Sequence, residues 1–86
     1  MAVTSEARTQ WAGSLIEGSG STSLVSSGAA NFDVTWAARS EGQTGVTNPE
    51  ELLGAAHSAC YSMALSHALS GAGSPPESLD VTAAVT

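Results

Sequence analysis

The sequence predicts an α+β fold in which the strands come first and one long helix follows. Two observations carry this. The stretch from residue 49 to residue 70 has no strand-like alternation and is bounded by strong helix start and stop signals. The residues before it fall into short runs of β-type pattern separated by glycine-rich turns, and a further alternating run follows it.

The strands read as follows. Residues 1–6 are expected to be a loose end. Ala7 to Glu17 reads as a first strand with Trp11 and Ile16 as core candidates, and Gly13 weakens it or marks a bulge. Gly18-Ser-Gly20 then predicts a turn into a second strand over Ser21–Ser26. After the loop Ser27–Asn31, the alternation of Phe32, Val34 and Trp36 predicts a third strand over Phe32–Ala38. Together the strands occupy about residues 7–38. Ser40–Thr47 is a polar, glycine-bearing loop. It lacks the Gly-Lys-Ser/Thr ending of a phosphate loop.

The helix is the best-marked element, expected over about 48–70. Asn48 suits the N-cap, Pro49 the first helical position, and Glu51 the third position of a capping box. Glu50 and Glu51 put negative charge where the helix dipole favours it. Gly71, Gly73, Pro75 and Pro76 end it. From Leu52 to Ser70 there is no Asp, Glu, Lys or Arg, and apolar residues occur on nearly every side. A helix of this kind is expected to be buried all round, in a core or against a partner. Gly54, His57, Ser58, Ser62, Ser66 and His67 interrupt the apolar run and no Lys or Arg flanks it, so a membrane span is rejected. A fourth strand is expected over about 78–86, with Leu79, Val81, Ala83 and Val85 alternating.

At 86 residues the chain is at most one domain, 1–86. A long helix buried on all faces needs more cover than so few residues supply, which predicts self-association. The chain carries eight acidic residues against two arginines, Arg8 and Arg39, for a formal charge of −6. That balance argues against nucleic acid and anionic membranes as partners. One cysteine excludes an internal disulfide, and residues 1–8 have no signal-peptide pattern, so a cytoplasmic protein is expected.

Cys60 is the one candidate nucleophile. As a bland alternative, free cysteine is often only a small buried hydrophobe. Reactivity requires a stabilised thiolate, which apolar burial disfavours. Arg39 is the better-placed of the two cations, and a carboxylate such as Glu50 or Glu51 would be needed to orient it. A zinc site from His57, Cys60 and His67 is a weaker reading, since a second cysteine cluster is absent. A His57–Cys60 nucleophile pair is sterically possible at this spacing, but no third residue to orient the imidazole is identifiable.

The run Thr47-Asn-Pro-Glu-Glu-Leu-Leu-Gly-Ala-Ala-His-Ser-Ala-Cys-Tyr-Ser-Met-Ala-Leu-Ser66 closely resembles the active-site helix of the OsmC/Ohr family, the osmotically inducible and organic hydroperoxide resistance proteins. Ala38-Arg39-Ser-Glu-Gly42 resembles the arginine segment that precedes this helix in the OsmC branch. The resemblance implies an OsmC-like fold in an intertwined homodimer, with the long helices at its centre. It implies a thiol-dependent peroxidase that reduces organic hydroperoxides to alcohols in oxidative or osmotic stress and needs no cofactor or metal. Cys60 matches the peroxidatic cysteine, Arg39 the activating arginine and Glu50 its carboxylate partner. Family members carry a resolving cysteine later in the domain. The present chain has none, so it reads as the N-terminal part of such a domain, dependent on an external thiol or dithiol reductant. The alternative is a catalytically inactive, structural dimerising fragment. Glu50 and Cys60 lie ten positions apart, or about 15 Å along a straight helix. Their meeting therefore requires a break at Gly54, a relay through Arg39, or an antiparallel partner helix crossing near Ala55.

Overall fold

The computed structural model describes residues 2–86 and divides into two compact units, Met1–Asn48 and Pro49–Thr86.

The first unit is a three-stranded antiparallel sheet followed by a short helix. Strand β1 (Ala7–Ala12) pairs with β2 (Ser19–Leu24), which pairs with β3 (Asn31–Val34), in the spatial order β1-β2-β3. The registers run from Ala7 opposite Leu24 to Ala12 opposite Ser19, and from Gly20 opposite Val34 to Ser23 opposite Asn31. Three strands occur in the expected order, but the first connection is displaced. Strand β1 stops at Ala12 because Gly13 adopts φ +96°, and the turn closes where Gly18 N–H donates to Ser14 O at 2.8 Å. Residues 13–18 are therefore the connection, and Gly20 lies within β2. Ile16, expected in a core, rides on this turn at 79% exposure. Trp11 is also largely exposed, its indole N–H donating to Gly13 O at 3.1 Å.

The sheet is held more by its ladder than by a core. Its central strand, Ser-Gly-Ser-Thr-Ser-Leu, offers little apolar surface. The hydroxyls of the directly opposed Thr9 and Thr22 are hydrogen-bonded at 2.8 Å, a cross-strand pair that fixes register. Part of the expected loose end is anchored, since Val25 and Ser26 N–H both donate to Glu6 O. In β3 the half-buried Phe32 and Val34 alternate with the exposed Asn31 and Asp33.

The third strand ends at Val34, and Trp36–Ala38, expected to continue it, instead open a helix, α1 (Trp36–Ser40). The cause is local. Thr35 sits in extended geometry, and its Oγ1 accepts from Ala38 N–H at 3.2 Å, an N-cap that turns the chain. Ala37, Ala38 and Arg39 are good helix formers, and Glu41 N–H closes on Ala37 and Ala38 carbonyls. Ala38 is the only fully buried apolar side chain among the described residues.

The second unit is helix α2 (Pro49–Gly71), starting and ending within a residue of its expected bounds, followed by an irregular segment. It is unbroken, about 34 Å long at 1.5 Å per residue. Residues 78–86, where a fourth strand is expected, enter no ladder among the described residues. This tail passes instead beside α2 at Gly54. A Cβ there would lie 3.1 Å from Ala83 O and 3.7 Å from Val85 Cγ2, which is why the helix tolerates a glycine in its second turn. Only this stripe of α2 is covered. Expected to be buried all round, the helix leaves Met63 at 73%, Leu53 at 61% and Tyr61 at 52% exposure, with Gly54 its one buried residue. A single extended tail is too narrow to cover a helix whose apolar residues point in every direction. Among the described residues no helix is long and apolar enough to cross a membrane.

Candidate active site

Cys60 lies in the middle of α2, a free thiol exposed to solvent. It is not the buried hydrophobe that its helix suggested. Its own helix carries no Lys or Arg to stabilise a thiolate, and its acidic residues sit in the first turn. The helix dipole acts only near the termini, so it gives little at this depth. Two nearby hydroxyls are turned back onto the helix. Ser58 Oγ donates to Ala55 O at 3.1 Å, and Ser62 Oγ to Ser58 O at 2.7 Å.

Glu50 lies in the first turn of the same helix. It is half-buried, and its Oε2 is shielded from solvent. The helix runs through Gly54 without interruption, so Glu50 and Cys60 stay about 15 Å apart along the axis. The break at Gly54 that would have brought them together does not occur. The glycine serves the close approach of Ala83 instead.

Arg39 belongs to the first unit. It occupies the last turn of α1, where its charge complements the negative helix end, and its side chain is exposed. The capped turn that holds it was not expected from sequence, although Thr35 three residues before Ala38 is a readable cap signal.

One arrangement escaped the sequence reading. The rings of His57 and Tyr61 meet with centroids 6.4 Å apart and planes tilted by 36°. Together with Val81, Thr82, Ala83, Ala84 and Val85 they line an open cleft of about 310 Å³. Their i, i+4 spacing was the available signal. Among the described residues no three His, Cys, Asp or Glu side chains are gathered as a ligand set, His57, Cys60 and His67 included.

No protein-family model matches the chain. Among curated proteins it is similar to Peroxiredoxin OsmC of Escherichia coli (strain K12), with 43% identity over all 86 residues, and to Peroxiredoxin OsmC of Shigella flexneri at the same identity. The chain spans 59% of the length of each of these relatives. With that identity sustained over all 86 residues, and with the cysteine-bearing helix and the preceding arginine segment both present, the chain fits an N-terminal segment of an OsmC peroxiredoxin.

Proposed function

We propose that this chain carries the nucleophilic half of a thiol peroxidase that reduces organic hydroperoxides to alcohols as part of a stress response. The observation that supports this most is the 43% identity to two peroxiredoxins over the whole chain, with Cys60 exposed on an unbroken helix.

In this reading the Cys60 thiolate attacks the terminal peroxide oxygen, the O–O bond breaks, and Cys60 becomes a sulfenic acid while an alcohol leaves. Arg39 stabilises the thiolate and polarises the peroxide. Glu50 orients the guanidinium, either within the chain or from a second copy whose helix crosses antiparallel near Ala55. The exposed Ala55, Ala56 and Ala59 are small enough for such an approach, and the uncovered Leu53 and Met63 favour a homodimer. The 86 residues then form one segment of an OsmC-like domain. Cys60 is the one cysteine within these 86 residues, so reduction of its sulfenic acid in this segment alone draws on a thiol or dithiol from outside it.

The test is intact mass after brief exposure to cumene hydroperoxide with a sulfenic-acid trap, alongside Arg39→Ala. Rapid trapping on Cys60 in the parent, slowed at least about 100-fold in the variant, is the expected result. The exposed apolar faces of α2 also favour a second reading, a structural dimerising segment without catalysis. Slow and equal labelling of both proteins would establish that reading instead.

A further inference from the structure

The reaction proposed above leaves a proton unassigned. When the O–O bond breaks, its electron pair departs on the alkyl-bearing oxygen, and an alkoxide is a poor leaving group unless it is protonated as it forms. Arg39 cannot supply that proton, because a guanidinium does not give one up in a protein. Glu50 is about 15 Å from Cys60 along its own helix, and in the reading above its carboxylate is taken up by the Arg39 guanidinium, from either copy. Imidazole is the side chain suited to exchanging a proton near neutrality, and the chain has two histidines. His67 is seven positions beyond Cys60, about 10 Å along the axis, whereas His57 is three positions before it, with Cβ atoms about 5–6 Å apart.

The angular order around α2 is equally specific. At about 100° per residue, Cys60 lies about 60° to one side of His57, while Tyr61 and Gly54 lie about 40° and 60° to the other. On that second side the tail passes, and His57, Tyr61 and Val81–Val85 enclose the cleft. His57 thus stands between the nucleophile and a cleft whose tail wall is mainly Val and Ala. A hydroperoxide whose alkyl group occupied the cleft and whose terminal oxygen reached Cys60 Sγ would have to cross the sector of the helix that His57 holds. The Tyr61 ring lies beside the imidazole on the cleft side, with centroids 6.4 Å apart.

We propose that His57 is the general acid of this reaction, protonating the alkoxide that leaves when Cys60 attacks an alkyl hydroperoxide; the assignment rests on the peroxidase reading above. The thiolate electron pair forms the S–O bond, the O–O bond breaks, and the departing pair takes the imidazole proton to give the alcohol. The terminal oxygen with its hydrogen stays on sulfur as sulfenic acid. Cys60 is oxidised by two electrons, the hydroperoxide is reduced by two, and solvent reprotonates His57.

The experiment compares the rate of sulfenic-acid formation with tert-butyl hydroperoxide and with peroxyacetic acid, in the parent chain, His57→Gln and Tyr61→Phe. Carboxylate, the leaving group of the peracid, needs no proton. His57→Gln is expected to slow the alkyl hydroperoxide about 100-fold or more and to leave the peracid within a few-fold of the parent. Tyr61→Phe is expected to preserve both rates. Equal slowing of both oxidants by His57→Gln, no slowing of either, or selective slowing in Tyr61→Phe instead would overturn the assignment of His57 alone. A parent chain that forms no sulfenic acid with either oxidant would overturn the peroxidase reading, and the assignment with it.

Discussion

The two units of this chain are stabilised in opposite ways, one poor in apolar material and the other rich in it but sparsely covered. The first has a Ser/Thr-rich central strand and holds itself together through backbone ladders, the Thr9–Thr22 pair and a capped helical turn. These hydrogen bonds are directional and join residues of the unit itself. The second has apolar residues around a 23-residue helix and covers them only along the Gly54 stripe. A ladder satisfies its own polar groups wherever it forms, whereas an all-round apolar helix is stabilised only when other surfaces surround it. The comparison teaches that the sheet is locally determined and the helix is determined by what packs on it.

The comparison can be sharpened by substitution. The largest effect expected is chemical: Cys60→Ser should abolish the mass increase produced by hydroperoxide and trap, since the sequence holds no other thiol. Next, Leu53→Glu with Met63→Glu should reduce self-association, read as a lower weight-average mass in sedimentation and a loss of helical circular dichroism. If a partner buries both side chains, about 1.5–3 kcal/mol per residue is forfeited. An unchanged mass would mean that these faces are not where copies meet. Gly54→Val should displace the tail, because even the added Cβ would lie 3.1 Å from Ala83 O, closer than ordinary contact. About 1–3 kcal/mol is expected, with faster amide exchange over residues 81–85 and none over β1–β3. Smallest is Thr35→Ala, which removes the cap of α1 at about 1 kcal/mol, seen in urea unfolding and localised to the first unit.

How much was legible depended on how local the deciding force was. The bounds of α2 were readable because Pro49 and the glycines and prolines after Ser70 act on the backbone directly. The first connection was misplaced because Gly13, Gly18 and Gly20 all permit a turn, and the choice was made by the Gly18–Ser14 hydrogen bond and the pairing of Ala12 with Ser19. Trp36 continued a strand-like alternation, but the Thr35 cap prevailed over it. Of the candidate site, the position of Cys60 on a helix and the motif around it were legible. Its exposure was not, because burial is a property of neighbours.

The sequence by itself determined the order of elements, the extent of the long helix, the single thiol and the likeness to OsmC proteins. These rest on backbone stereochemistry, capping and the identity of residues along the chain. Only the tertiary structure decided that α2 runs unbroken through Gly54, that the tail lies beside that glycine, and that His57 stands between Cys60 and a cleft. Each of those depends on contacts between residues far apart in sequence, where close approach and competing hydrogen bonds outweigh local preference.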